Sequence, residues 1–161
     1  GVYVGDTWYL RNSNTPGPPD LVIRYGWNGV TPVVGDWDGN GTDTIGIYIN
    51  GTWMLRNQNT PGSPQLWFDY GWAYPQPVIG DWEGDGADGI GIFWDGHWNL
   101  RQQASPGNPD VAFDFQPQPG GRAVACDLHN DGADGPAVFR GAYWFLRNPL
   151  TTGPSAASFW F

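Results

Sequence analysis

Short apolar runs, rich in aromatic and β-branched residues, alternate along the chain with turns rich in glycine and proline. Such runs between turn signals are typical of short β-strands. One stretch contains four of them in succession, TPVVGD, DTIGIYI, GTWMLRN and QLWFDYG, between residues 31 and 71. Asn50-Gly51 separates the second run from the third and is a standard signal for a tight hairpin turn. The pattern predicts four antiparallel strands.

The same pattern recurs along the whole chain. The tryptophan of the third run lies at positions 8, 53, 98 and 144, at spacings of 45, 45 and 46 residues. Acidic loops between the first and second runs begin at Asp36, Asp81 and Asp127. Four antiparallel strands in about 45 residues is the size of one blade of a β-propeller. We therefore predict an all-β propeller-like array, with a β-solenoid of stacked hairpins as the alternative.

The repeat divides the chain into a single repeat domain of four units. The expected blades are 27–71, 72–116 and 117–161, preceded by a partial blade at 1–26. The first blade lacks its first strand, because the sequence GVYV already belongs to a second strand. A missing strand leaves unpaired backbone groups on its neighbour. Either the chain is cut from a longer array or another copy supplies the strand.

Charge and composition narrow the function classes. The formal net charge is −9, which disfavours nucleic acid as a partner. No apolar run approaches the length that membrane insertion requires. A single cysteine, Cys126, excludes an internal disulfide framework. Ten of the sixteen acidic residues lie in the three acidic loops, so the negative charge is mostly local.

The acidic loops carry the clearest chemistry. The first, DWDGNGTD, has carboxylates at its positions one, three and eight, Asn at five, and Gly at four and six. Alternating short oxygen-bearing side chains on a tight loop favour Ca²⁺ over a transition metal. The plainer interpretation is a turn made of ordinary turn residues. The second loop, DWEGDGAD, keeps the pattern, whereas the third has His129 and Asn130 and is expected to bind more weakly.

The sequences GDWDGNGTDTIGIY and GDWEGDGADGIGIF resemble FG-GAP/VCBS-type repeats, which occur in integrin-like propellers and in secreted bacterial proteins. The resemblance covers nearly the whole chain and implies two or three Ca²⁺ ions in the acidic loops. The ligands it implies are Asp36, Asp38, Asn40 and the carbonyl of Thr42; Asp81, Glu83, Asp85 and the carbonyl of Ala87; and Asp127, Asp131 and the carbonyl of Ala133.

One position departs from that family. The family commonly has a ligating Asp at position nine of the loop, where this chain has Thr44, Gly89 and Gly135. An aspartate lies one residue earlier in each loop. We therefore expect the position-eight residues to close the three sites: Asp43, Asp88 and Asp134.

The repeated residues outside the loops favour structural roles, with some exceptions. The tryptophans of the third strand are expected to pack between blades, and the arginine of each LRN or LRQ motif to have a repeated structural partner. Tryptophans in loops are better candidates for ligand contact. These candidates are Trp27, Trp37, Trp72 and Trp82.

Catalysis has little support in the sequence, and we expect no catalytic residues. The two histidines, His97 and His129, do not recur with the repeat, and no nucleophile elbow, zinc motif or phosphate loop is present. We expect a non-catalytic, calcium-stabilised module at the cell surface or outside the cell, which binds a glycan or protein in adhesion. The alternative is a structural subunit whose copies assemble into an extracellular fibre or sheath through the incomplete blade.

Overall fold

The computed structural model describes residues 1–116 and 120–160, and its fifteen strands form the four blades of a β-propeller. The first blade contains β1 (Val2–Val4), β2 (Thr7–Leu10) and β3 (Leu21–Arg24). The second contains β4 (Thr31–Gly35), β5 (Thr44–Ile49), β6 (Thr52–Leu55) and β7 (Leu66–Asp69). The third contains β8 (Gln76–Gly80), β9 (Gly89–Trp94), β10 (His97–Arg101) and β11 (Val111–Asp114). The fourth contains β12 (Arg122–Cys126), β13 (Gly135–Arg140), β14 (Tyr143–Leu146) and β15 (Ala157–Trp160).

Strand pairing follows chain order within every blade. All neighbouring strands are antiparallel, and each of the last three blades runs from first to fourth strand without a crossover. The first sheet has three strands in the order β1-β2-β3. The prediction of an all-β propeller is therefore confirmed, and the β-solenoid alternative is not what the chain forms. The predicted start of the last blade, at position 117, lies outside the described residues.

Tight turns join the second and third strands of the blades. Asn50 and Gly51 both have positive φ, at 49° and 93°, as a two-residue hairpin turn of type I′ requires. Asp95 and Gly96 repeat this conformation one blade later, at 46° and 92°. The Asn-Gly turn signal in the sequence is thus confirmed.

The hydrophobic core lies between blades rather than within one. Three clusters of buried side chains join the first blade to the second, the second to the third and the third to the fourth. Trp8, Trp53 and Trp98 are at most 3% exposed and sit one in each cluster. Their position confirms that three of the four repeated tryptophans pack between blades, whereas Trp144 is half-buried and lies in none of these clusters. Each such ring removes a large apolar surface from water, which makes these interfaces the main source of stability.

The repeated arginines hold the proline-glycine turns between the third and fourth strands. Arg56 is 4% exposed, and its guanidinium donates to the carbonyls of Ser63 and Pro61 and to the Thr60 hydroxyl. Arg11, Arg101 and Arg147 make the same type of contact in the other blades. A repeated structural partner was predicted for this arginine, and the structure shows that it is a backbone carbonyl oxygen. The five rigid N–H donors of a guanidinium suit such acceptors well. No helix long and apolar enough to cross a membrane occurs in the described part of the chain.

Candidate functional site

The acidic loops form three corners at one end of the blades, each joining a first strand to a second. At each corner the position-one carboxylate accepts hydrogen bonds from backbone N–H groups of its own loop. Asp36 accepts from Asn40 and Gly41 at 3.1 and 2.6 Å. Asp81 accepts from the N–H groups of residues 84, 85 and 86, and Asp127 from those of residues 129, 131 and 132. These bonds fold the corner in the manner of an Asx turn.

Backbone N–H groups also lower the pKa of Asp127, the most exposed of the three position-one residues. The pKa of Asp127 is lowered chiefly by the N–H of Gly132, with smaller contributions from His129 and Asp131, because these donors stabilise the charged form. The Asp127 side chain is therefore a carboxylate bound to its own backbone.

The position-eight aspartates connect corners of different blades. The Asp88 carboxylate accepts from the backbone N–H of Asp36 at 2.8 Å, and the Asp88 N–H donates to the Asp36 carbonyl at 2.7 Å. Asp134 makes the same reciprocal pair with Asp81, at 3.0 and 2.6 Å. Each corner is thus clamped to the corner before it. We call these two reciprocal pairs the corner clamps.

Burial in the clamp changes the acidity of both aspartates. The pKa of Asp88 is raised to about 6, chiefly by burial and in smaller part by the nearby carboxylates of Asp43, Asp134 and Asp81, while the N–H of Asp36 lowers it. Burial likewise raises the pKa of Asp134. The clamp therefore keeps a carboxyl group where its charge is poorly solvated.

One carboxylate oxygen of Asp88 and one of Asp134 contact the preceding corner, because consecutive corners stack. The expectation that the position-eight residues close their own loops as ligands stays a prediction. A Cβ on Gly35 would lie 2.9 Å from Asp88 Oδ2, and one on Gly80 would lie 2.8 Å from Asp134 Oδ2. Glycine before the corner is therefore what allows the clamp to form. Asp43 is exposed and has no described corner before it.

Position nine of the loop faces the blade and not the loop. Thr44 is 3% exposed, and its hydroxyl donates to the carbonyl of Arg56 at 2.6 Å. A Cβ on Gly89 would lie 2.2 Å from the carbonyl oxygen of Arg101, and one on Gly135 would lie 2.5 Å from that of Arg147. Positions 89 and 135 therefore leave no room for a side chain, whereas position 44 holds the buried Thr44.

The corners match calcium in donor chemistry but do not gather their carboxylates at one point. Asp38, Glu83 and Asp85 are exposed on the loops, and every candidate donor is an oxygen. Within residues 1–116 and 120–160, no group of three or more His, Cys, Asp or Glu side chains is placed to hold a metal ion. Backbone N–H groups already occupy the oxygens of the position-one residues. The ligand roles assigned to the corner residues therefore stay predictions.

The four candidate tryptophans divide into two pairs. Trp27 and Trp72 are exposed, at 44% and 49%. Trp37 and Trp82 are 7% and 5% exposed and pack into the cores between blades. The expectation that the latter pair contacts a ligand is therefore not met, because the corner turns their rings towards the neighbouring blade.

Trp72 lines a cleft of about 420 Å³ on the third blade, which we call the tryptophan cleft. Trp94, His97, Asn99 and Asp114 from the strands of that blade also line it, and Thr152 comes from the fourth blade. The Nδ1 atom of His97 lies 2.5 Å from an oxygen of Asp114, and both side chains are about half exposed. Ala112, opposite Asn99 in the sheet, contributes a small side chain to the wall.

Sequence reasoning identified only one of the cleft's aromatic residues. It missed Trp94, which is 44% exposed, together with the polar groups His97, Asn99 and Asp114. The signal that could have found three of them is their departure from the repeat. Trp94, His97 and Asn99 stand where the second blade has Ile49, Thr52 and Met54.

Comparison with protein-family models, with curated proteins and with solved structures finds no match to this chain.

Proposed function

We propose that the chain is a non-catalytic extracellular repeat module that binds a glycan or protein ligand in adhesion. The observation that supports this most is the tryptophan cleft, where two half-exposed indoles and a carboxylate–imidazole pair line one concave surface. Concave sites with aromatic walls and a few polar groups are the usual form of ligand sites. The resemblance to FG-GAP/VCBS-type repeats supports an extracellular location.

The surroundings of the acidic residues support a role without catalysis. The position-one carboxylates accept backbone N–H groups, and those of Asp88 and Asp134 hold neighbouring corners together. A carboxylate committed to fixed donors is poorly suited to transfer protons to a substrate. Of the two histidines, His97 pairs with Asp114 and His129 lies 2.9 Å from the side-chain nitrogen of Asn148.

Calcium at the acidic corners is the second part of this proposal. Oxygen donors at positions one, three and five of the first two corners, together with their uncompensated charge, support one ion at each, with a third ion at the last corner. When bound, the ion would neutralise the corner and add to the stability of the folded state by mass action. The ligands are those given above for Asp36, Asp81 and Asp127 and their loops.

Thermal unfolding in EDTA and in excess CaCl₂ tests this part. We expect calcium to raise the melting temperature by several degrees, with about 2.7 kcal/mol of stabilisation at a hundredfold excess over Kd. The double variant Asp38→Asn, Glu83→Gln should lose most of that increase, while unfolding in EDTA stays as in the wild type. Identical melting temperatures in EDTA and CaCl₂ would remove calcium from the proposal.

Arrays of glycans and of extracellular-matrix proteins, probed with the fluorescently labelled chain, test the binding role. Saturable binding to at least one glycan or protein is expected, with heat-unfolded chain as the control. A folded chain that binds nothing on either array would contradict the proposed function.

Self-assembly into a fibre or sheath is the second candidate, because the first and last blades expose apolar side chains. Val2, Val4 and Val22 are 58–62% exposed on the first blade. Phe159 and Trp160 are 48% and 76% exposed on the last. Phe113, at the position of Phe159 one blade earlier, is 6% exposed against its neighbouring blade. Light scattering across a concentration series separates the two candidates, since a strict monomer would contradict assembly.

A further inference from the structure

We propose that the tryptophan cleft is a binding site for a neutral glycan, with the Trp72 and Trp94 indoles as stacking surfaces. The His97–Asp114 pair and Asn99 serve as hydrogen-bonding partners of the sugar hydroxyls. This inference rests on the proposed binding function and gives it a place and a ligand class.

The first argument is that departures from the repeat converge on the cleft. At the position of Trp94 the other blades have Val4, Ile49 and Arg140. At that of His97 they have Thr7, Thr52 and Tyr143, and at that of Asn99 they have Tyr9, Met54 and Phe145. Blade formation does not require a particular residue at these positions, since the four blades have three or four different residue types at each. The side chains of Trp94, His97 and Asn99 on the third blade can therefore contact a ligand without a cost to the fold.

The small residues of the third blade open the site. In the second blade Met54 pairs with Trp67, which fills the equivalent surface with two large side chains. In the third blade Asn99 pairs with Ala112. This smaller pair leaves space beside Trp94, and Asn99 adds an amide that can both donate and accept.

Three blades hold the cleft in place. The Tyr48 hydroxyl of the second blade donates to the carbonyl of Trp72 at 2.9 Å. The backbone N–H of Asp114 donates to the Thr152 hydroxyl of the fourth blade at 3.0 Å. The Asp95-Gly96 turn fixes the chain between Trp94 and His97. A site that is ordered before the ligand arrives loses less conformational entropy on binding.

The chemistry of the cleft selects a neutral glycan. An indole face accepts the C–H face of a sugar ring, and carboxylate, imidazole and amide groups suit its hydroxyls. The Asp114 carboxylate and the net charge of −9 repel uronic acids and sulfated sugars. The volume of about 420 Å³ lies within the range of small-molecule sites.

The test is titration of the whole chain, followed by intrinsic tryptophan fluorescence and calorimetry. The probes are neutral oligosaccharides of the cello-, xylo-, manno- and chito- series, with alginate and heparin oligosaccharides as the anionic arm. The cleft variants are Trp72→Ala and Trp94→Ile, the latter taking the residue of the second blade. Trp67→Ala is the matched control, because Trp67 is 70% exposed and lies outside the cleft.

We expect at least one neutral oligosaccharide to bind and the anionic ones to bind more weakly. Each cleft variant should lower its affinity by about tenfold through loss of a stacking surface, with the melting temperature unchanged, and Trp67→Ala should leave the affinity unchanged. Neutral glycan binding that survives both cleft variants, or a preference for anionic glycans, would overturn the cleft assignment and leave the binding module standing. A protein ligand with no glycan ligand would have the same effect. A folded chain that binds neither glycans nor proteins would overturn both.

Discussion

The corner clamps are formed by residues that recur with the repeat, whereas the tryptophan cleft is lined by residues that depart from it. At the corners of the last three blades an Asp returns at position one and another at position eight, and Asp88 and Asp134 contact the corner of the preceding blade, at Asp36 and Asp81. At the cleft, Trp94, His97 and Asn99 replace the residues of the other blades and are at least partly exposed. In an array whose stability comes from contacts between neighbours, a recurring residue is first explained by packing. The departures are where a ligand site is to be sought.

A pair of tryptophan substitutions gives the largest expected contrast between the two regions. Trp53→Ala should lower the free energy of unfolding by about 3–5 kcal/mol, because it empties a fully buried site between the second and third blades. Trp94→Ile should change it by no more than about 0.5 kcal/mol, because Trp94 is exposed and the second blade folds with Ile49 there. Urea unfolding monitored by circular dichroism measures both. Equal losses of unfolding free energy in the two variants would contradict the difference between the core tryptophan and the cleft tryptophan.

The corner clamp offers a smaller contrast between two aspartates at the same repeat position. Asp88→Ala should destabilise the chain by about 1–3 kcal/mol, because it leaves the partly buried N–H of Asp36 without its acceptor. Asp43→Ala is the matched control and should cost less than about 0.5 kcal/mol, since Asp43 is exposed. Both are measured in EDTA, so that calcium does not contribute. A larger loss at Asp43 than at Asp88 would contradict the clamp.

The pH dependence of stability gives the smallest effect. Asp88 has its pKa raised to about 6 by burial, against about 3.9 in an unfolded chain, so between these values the folded state binds more protons. Stability from this group is therefore present below pH 4 and is lost as pH rises through 6. Because the side chain is only about half buried, we expect a loss of about 1 kcal/mol. Between pH 4 and 7 in EDTA, the unfolding free energy of the wild type should fall by about 1 kcal/mol more than that of Asp88→Asn. Equal changes with pH in the two proteins would contradict the raised pKa of Asp88.

The parts of the fold that could be predicted are those encoded within one repeat. The spacing of Trp8, Trp53, Trp98 and Trp144 predicted the blades, and Asn50-Gly51 predicted its hairpin, because both signals are local. The direction of a side chain relative to the next blade is not local. The sequence therefore did not show that Asp88 contacts the corner of Asp36, or that the loop tryptophans Trp37 and Trp82 are buried against a neighbouring blade.

The cleft was only partly predictable for the same reason. Trp72 was predicted as a candidate for ligand contact because it lies in a loop. Trp94, Asp114 and Thr152 come together with it only when three blades are assembled. Comparison of the repeats in the sequence shows which residues differ between blades. Only the assembled structure shows which of these residues line the same cleft.

The most direct test of the account is the triple variant Trp94→Ile, His97→Thr, Asn99→Met, which gives the third blade the residues of the second at the cleft. Its unfolding free energy and its affinity for the best neutral oligosaccharide are measured together. We predict an unfolding free energy within about 0.5 kcal/mol of the wild type, because the second blade folds with these residues, and loss of measurable glycan binding. Retained binding, or a chain that no longer folds, would contradict the claim that the departures serve the ligand and not the fold.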